Sequence, residues 1–509
     1  MNDKYIDFDL INSTSDGGNR SQIGGKSKSL SILDIENNPM FTKLDQSFNQ
    51  EELAYKYRDK ARKKITEKIK TRTGIKNAKD LDTLSKKIYE KTEAVMKEKY
   101  LLKDPLDPTN PRSVAVYFDQ PDFSNWVWMI WSIPFYQSLG DTIGYHDGKW
   151  EFNNKNPLAG PDYCNEMIGE FIHLGGINGL SIVNWLASDD TILYMATYDV
   201  LMRKISDIQS YGQSLKEAYL HMWPQMVNRA PGQTTARSIR FQENYKWDAL
   251  PYDSQALGNG SCMRTGCIGI FYPGRSNRKR LIALAVEASR ITHNSAIAIL
   301  GSITTALFTA YAIERVPIAH WPHKLLKLLE SKKIDAYMES SRPAEYKLYA
   351  DNKGLYQSQW KSYVSFRFDG LIPRLNMPIM QRPVQRIKAL SERFSKCDKN
   401  NPGACADDAC IIAYDSLLES GDNLEKLLVY SILHNGDSDT VGSIAFSWFG
   451  AYFFSTANYN LVDWRFDQLE FRKEIMAGNI IAFKSKLFKV YFHDLYLHYA
   501  RKFIKKLPV

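Results

Sequence analysis

Two long stretches of this chain carry no Asp, Glu, Lys or Arg: "THNSAIAILGSITTALFTAYAI" (Thr292–Ile313) and "TVGSIAFSWFGAYFF" (Thr440–Phe454). Both are rich in Ser, Thr, Gly and Ala and poor in Leu. A membrane-spanning helix wants about 20 predominantly apolar residues, and these are more polar than that. In the second, Val441, Ile444, Ala445, Trp448, Phe449, Tyr452 and Phe453 recur at helical spacing. A helix that is uncharged all round has to be enclosed by other helices. Few segments elsewhere alternate as strands do. The expected class is therefore all-α, with both stretches inside a large helical core and no membrane partner.

A chain of 509 residues leaves room for about three domains of roughly 150 residues, or for one large one. Residues 1–50 are polar, with "TSDGGNRSQIGGKSKS" near the start, and are expected to be disordered. Residues 51–115 read as a basic helical extension. Its runs such as "YRDKARKKITEKIKTR" suit solvated helix faces better than a nucleic-acid surface. The net charge of +9 is modest for this length and makes nucleic acid an unexpected partner. "LKDPLDPTNPRS" (Leu102–Ser113) is a Pro-rich break. Residues 116–509 then read as one all-α domain, expected to be monomeric, with a long loop or insertion at about 362–410. The tail "LYLHYARKFIKKLPV" is a basic amphipathic helix expected to pack on that domain.

The six cysteines are Cys164, Cys262, Cys267, Cys397, Cys405 and Cys410; none forms a C-x-x-C pair, and no secretory signal opens the chain. Reduced, buried thiols in a cytoplasmic protein are the expectation. Cys397, Cys405 and Cys410 fit no familiar zinc spacing. Abundant Lys, Asn, Ile and Tyr suggest an AT-rich genome, such as that of a large virus or a parasite. In a virus the location would be host cytoplasm or virion.

Two oxygen-rich clusters open apolar helices: "SDDT" (Ser188–Thr191) and "DSDT" (Asp437–Thr440). Each alone can be read as a helix cap, because Ser, Thr and Asp accept bonds from free N–H groups at a helix start. A cap needs only one such residue, and two buried neighbouring acids are costly without a cation. Ser188, Asp189, Asp190, Asp437, Asp439 and Thr440 offer only oxygen, the donor set of Mg²⁺ or Ca²⁺, and no His or Cys that would favour zinc. If the two helix starts converge, four carboxylates suit two cations.

Several motifs occur in fixed order: "GDTIGYHDGKWEF" (Gly140–Phe152), "HLGG", "SDDT", "NRAPG" (Asn228–Gly232), "LPYDSQALGNGSCMRTGCIGIFYP" (Leu250–Pro273), "ASRITHN" (Ala288–Asn294), "IAYDSLL" and "HNGDSDTVGSIAFSWFG" (His434–Gly450). Together they resemble the ADP-ribosylglycohydrolases, and most closely the ADP-ribosylarginine hydrolase branch, over about residues 125–470. The resemblance implies a compact multi-helix domain with a two-magnesium cleft. It implies a hydrolase that removes ADP-ribose from modified protein side chains, arginine above all. A catalytically silent ADP-ribose-binding protein on the same scaffold is the alternative.

By that resemblance Ser188, Asp189, Asp190, Asp437, Asp439 and Thr440 are ligands of two Mg²⁺ ions. Asp189 or Asp190 would orient or deprotonate a water, and Glu151 would protonate or gate the leaving group. Gly258, Asn259, Gly260, Ser261 and Met263 would present backbone to a diphosphate. Tyr252 would stack on adenine, and His293 would lie near the ribose. Asn228, Arg229, Ala230, Pro231 and Gly232 would form the substrate wall, with Arg229 facing an acid or phosphate or tying down a loop. The sequence departs from the family at "CDKNNPGACADDACIIAYD", where a Gly- and Arg-rich run ending in Gly-His-Asp-Ala-Pro is expected. It also has Asn228 and Asn435 where Gly is usual. These departures bear on the acceptor, while the metal positions are intact.

Overall fold

The helix Ala296–Ile313 is buried along all 18 of its residues. It starts where Ser295 accepts the N–H of Ala298 at 3.2 Å, a side-chain cap of the usual kind. In this computed structural model, which describes residues 50–100, 121–153, 162–203, 205–453, 463–487 and 489–508, nearly every element is a helix. The strands among the described residues are Phe368–Asp369 and Ile372–Pro373, one antiparallel ribbon. Helices Cys262–Phe271, Arg278–Arg290, Ala406–Ser420 and Ser438–Phe453 enclose Ala296–Ile313. Its Phe308 ring meets Trp321, Trp360, Tyr414 and Trp448 at 5.2–5.6 Å between centroids. This helix is long and apolar enough to cross a membrane, and it lies wholly inside the protein.

Helices Pro121–Tyr145 and Ser438–Phe453 pack backbone to backbone. Glycine makes that possible. A Cβ on Gly144 would lie 2.5 Å from Ser438 O and 2.6 Å from Asp439 Cα, and one on Gly450 would lie 2.5 Å from Tyr136 Cδ2. A Cβ on Gly140 would strike the carbonyl of Gly442. The contact holds the start of one helix, at Asp437 and Asp439, against the last turns of the other.

The stretch expected as a loop or insertion at 362–410 is more regular than its composition suggests. Helix Gly354–Arg367 runs into it, and a second helix spans Pro383–Phe394. Pro383 sits at a helix start, where its missing N–H costs nothing, and Ile387, Leu390 and Phe394 pack into the core. Arg367 and Arg386 bind Asp415 from beneath, and Arg367 also binds Glu419 at 2.6 Å.

Helices Gln50–Thr73 and Ala78–Tyr100 occupy most of the stretch read as a basic extension, whose residues 101–115 lie outside the described ones. The tail helix Tyr496–Ile504 packs on these two helices. Ala61, Ile65, Ile69 and Ile88 share a small separate core with Tyr496, Leu497, Ala500 and Ile504. Arg72 closes the joint by donating to Leu507 O at 3.0 Å and Lys505 O at 3.1 Å. Its guanidinium thus takes carbonyls left over at a helix end. The expected disorder of 1–50, apart from Gln50, and the Pro-rich break at 102–113 lie outside the described residues.

Candidate functional site

Helix Asp189–Met202 starts with its capping bonds supplied by others. Ser188 accepts the N–H of Asp190 at 3.1 Å. Asp141, on helix Pro121–Tyr145, accepts the Ser188 hydroxyl at 2.6 Å, the Ser188 N–H at 3.2 Å and the Thr191 N–H at 3.1 Å, together with the Thr191 hydroxyl. Asp189 and Asp190 are thereby left over for other work. At the second cluster Asp437 does cap, taking the Thr440 N–H at 3.2 Å on one oxygen. Its other oxygen accepts Asn259 Nδ2 at 2.9 Å.

The two clusters meet. Thr440 donates to Asp190 Oδ1 at 3.3 Å, and Ser443 donates to Asp190 Oδ2 at 2.8 Å. Glu151 joins from the turn after helix Pro121–Tyr145, which docks where the Phe152 N–H donates to Gly436 O at 3.0 Å. His146, Asp147 and Phe152 in that turn have φ of 42°, 53° and 53°, uncommon values for residues with a side chain. Six carboxylates therefore gather: Asp141, Glu151, Asp189, Asp190, Asp437 and Asp439. Of the carboxylates expected as ligands, Asp190 and Asp439 are the deepest at 2 % exposure, while Asp189 reaches 8 % and Asp437 6 %; Glu151 is 6 % exposed.

No Lys or Arg among the described residues forms an ion pair with any of the six. Burial raises the pKa of Asp141, Glu151, Asp189, Asp190 and Asp439, and in all but Asp141 repulsion from neighbouring carboxylates adds to it. Asp189 is pushed up to about 8, by burial first and then by Asp141 and Asp437. Asp190, Asp439 and Glu151 are held well above the usual carboxylate range by the same causes. Asp141 is pushed up to about 6 by burial, against its four hydrogen bonds. A buried, all-oxygen, uncompensated acidic cluster is what a hard divalent cation fits.

The glycine-rich loop leads in beside it. Its glycines lie on His293: a Cβ on Gly260 would be 2.9 Å from His293 Cε1, and one on Gly258 3.2 Å from its Nε2. His293 is 2 % exposed and bonded to Thr292 Oγ1 at 2.8 Å. Burial lowers its ring to about 3, so it is neutral. It supports the loop from beneath, under the residues expected to meet the diphosphate. Ser261 spends its hydroxyl on Ala298 O at 3.3 Å, and Met263 is buried, so only backbone is on offer there. Among the described residues the N–H groups of Gly260 and Ser261 have no acceptor, and adjacent free N–H groups form an anion cradle. Half-buried Tyr252 takes the N–H of Ala296 at 3.2 Å.

In "NRAPG", Asn228, Ala230 and Gly232 are exposed and Pro231 half-buried. Asn228 has φ of 64° and Ala230 of 49°. Asn tolerates this region better than other side chains do, which accounts for Asn at a position where Gly is usual. Arg229 is buried and binds Glu470 in a fork at 2.6 and 2.8 Å, Gln225 O at 2.9 Å, and the carbonyl of Ala187. Its contacts are those of a tie, fixing the residue just before Ser188.

Sequence reasoning passed over Asp141, Ser443 and Arg264. Asp141 stands inside a quoted motif as one acid in an apolar run with no base nearby, and that was the available signal. Arg264 is fully buried, donates to Gly260 O at 2.6 Å, Thr292 Oγ1 at 2.7 Å and Ala288 O at 2.9 Å, and anchors the glycine-rich loop. Nothing local marks such a role. The segment that departs from the family, 400–405, lies directly against the site. Asp437 N donates to Pro402 O at 2.9 Å, Asn259 Nδ2 to Gly403 O at 2.6 Å, and Asn435 Nδ2 to Asn400 O at 3.1 Å.

A family model described as ADP-ribosylglycohydrolase matches residues 137–477. A protein of Acanthamoeba polyphaga mimivirus, provisionally named an ADP-ribosyl glycohydrolase, is 47 % identical over 464 residues, 89 % of this chain and 90 % of that protein. The ADP-ribosylhydrolase ARH1 of Dictyostelium discoideum is 32 % identical over 338 residues, 62 % of this chain and 84 % of that protein. A solved structure titled "ADP-ribosylglycohydrolase-related protein complex" aligns at 18 % identity and a TM-score of 0.44, covering 70 % of this chain and 98 % of that one.

Proposed function

The chain belongs to the ADP-ribosylglycohydrolase family, whose members hydrolyse ADP-ribose linkages, and from that premise we propose that it frees mono-ADP-ribosylated protein side chains, arginine first among acceptors. The bond broken joins C1″ of the ribose to the side-chain nitrogen, through an oxocarbenium-like state. The observation that carries this reading is the meeting of the two acidic helix starts, with Thr440 and Ser443 both bonded to Asp190.

Ser188, Asp189, Asp190, Asp437, Asp439 and Thr440 would hold two magnesium ions, since their oxygens are convergent and uncompensated. Bound there, magnesium would position ribose hydroxyls and lower the pKa of a water. The chain's own residues do the rest. Asp189 or Asp190 orients that water and takes its proton as oxygen bonds to C1″. Glu151, beside these carboxylates, would give a proton to the departing nitrogen as its bond to C1″ breaks. Gly260 and Ser261 receive the diphosphate on free backbone N–H groups, and Tyr252 offers its ring to adenine.

The test is release of ADP-ribose from arginine-, serine- and phosphate-ester-linked substrates, with magnesium and with EDTA. Turnover that needs magnesium and is fastest on arginine supports the reading. Turnover equal in EDTA removes magnesium from it. ADP-ribose binding by calorimetry with no turnover on any substrate replaces it with a silent binding protein.

A further inference from the structure

The loop against the acidic centre begins and ends in thiols. Cys397 follows helix Pro383–Phe394, and Cys405 immediately precedes helix Ala406–Ser420. Both sulfurs and one carboxylate oxygen of Asp407 lie within 4.8 Å of one another. Asp407 is fully buried. Its Oδ2 accepts Gln359 Nε2 at 2.6 Å and the Lys396 N–H at 3.3 Å. Its Oδ1 has no hydrogen-bond partner among the described residues. A buried carboxylate oxygen without a donor costs stability unless a cation meets it.

We propose that Cys397, Cys405 and Asp407 form a zinc site, separate from the acidic centre, that pins the 397–405 loop. Two thiolates with one carboxylate are a soft, borderline donor set that selects zinc over magnesium or calcium. Zinc–sulfur bonds of about 2.3 Å in a tetrahedron put the sulfurs about 3.8 Å apart, so closure needs a contraction of at most about 1 Å. Both thiols are half-buried, which leaves the fourth position to water. Gln359 holds the carboxylate in place, the outer-shell support that ligands of this kind usually have. Without a cation the Cys405 thiol resists ionisation, first through its contact with Cys397 and then through burial.

The site would have a structural consequence. Between the two cysteines lie Pro402, Gly403 and Ala404, whose carbonyls accept Asp437 N, Asn259 Nδ2 and Asn259 N. An ion at the loop's base would fix the segment that positions Asp437 and the glycine-rich loop. None of this rests on the hydrolase reading.

The test uses the full chain, reduced and stripped of metal, titrated with Co²⁺ and then Zn²⁺. One Co²⁺ per chain should give a near-ultraviolet thiolate-to-metal absorption that zinc abolishes. Oxygen ligands at the acidic centre give no such band. Cys397→Ser should lower cobalt affinity at least about tenfold, Asp407→Asn should weaken binding while keeping the band, and Cys164→Ser should change neither. On the unaltered chain, zinc should shield Cys397 and Cys405 from a thiol reagent, which keeps the test open should a variant not fold. Absence of the band, or thiols equally reactive with and without zinc, overturns the proposal. So does a Cys397–Cys405 disulfide in freshly isolated protein.

Discussion

Replacing Gly144 by Ala inserts one methyl group between the two helices that build the acidic centre. That carbon would stand 2.5 Å from Ser438 O, 2.6 Å from Asp439 Cα and 2.7 Å from Asp439 N. Non-bonded carbon contacts are best at about 3.5–4.0 Å, so the helices must part by about 1 Å. Every obstacle is backbone, so no rotamer change relieves it. Overpacking costs about 1–3 kcal/mol, and the upper end applies here. Unfolding entropy of about 2.1 cal/mol/K per residue comes to about 1 kcal/mol/K for a chain of this length, so Tm should fall by about 3 °C. Activity should suffer more. The same parting shifts Asp439 relative to Asp190 and Glu151, and a displacement of about 1 Å costs on the order of 100-fold in rate. Gly169 is the control: it lies in helix Tyr163–His173 with nothing within 4 Å of its missing Cβ. Ala there favours the helix by about 1 kcal/mol, so Tm should hold or rise. Scanning calorimetry and ADP-ribose release measure both variants. A Gly144→Ala protein with unchanged Tm and rate would refute the claim that backbone contact sets this site.

Asp190→Asn and Asp439→Asn should each abolish turnover, and a variant with the normal rate removes that residue from the mechanism. Arg229→Ala should cost about 1–3 kcal/mol, because it removes the buried guanidinium that bonds Gln225 O and the carbonyl of Ala187, while Glu470 stays partly solvated; a raised KM with unchanged Tm would return Arg229 to the substrate wall. In chelated protein, Asp141 and Asp189 titrate near 6 and 8, above about 3.9 when unfolded. The folded state therefore holds protons that the unfolded state has released, and stability falls as pH rises from about 4 to 8. Magnesium should consequently raise Tm more at pH 8 than at pH 5, and an equal gain at both would count against metal binding by these carboxylates. His293 and His434 work in the opposite sense: burial lowers them to about 3 and about 4. Each should remove up to about 1.4 kcal/mol per pH unit as pH falls below about 6.5. In magnesium-saturated protein Tm should drop over that range, less so in His434→Gln.

The parts legible in the sequence were those written locally. Ala296–Ile313 and the run from Thr440 onward announced themselves as enclosed helices by lacking charge, and the paired acids stood out because a cap needs only one. What could not be read was which distant groups complete them. The capping of Asp189–Met202 by Asp141 spans more than forty positions, and no local pattern encodes it. Arg264 looked like one more base until its three acceptors were in place. The helix Pro383–Phe394 was hidden by the Pro, Cys, Asn and Gly around it, although Ile387, Leu390 and Phe394 keep helical period. Arg229 was left open between two roles because Glu470, the partner that decides it, lies far along the chain.

The small core shared by Ile65, Ile69 and Ile88 with Tyr496 and Ile504 joins segments that are synthesised far apart in time. At about 5–20 residues per second, the early helical pair leaves the ribosome many seconds before its partner exists. Its isoleucine stripe must wait in solvent or in the hands of a chaperone until Tyr496–Ile504 is synthesised. Formation of this joint therefore waits on residues 496–504, and nascent chains stalled short of residue 496 should bind hydrophobic-surface probes that release once that segment is made.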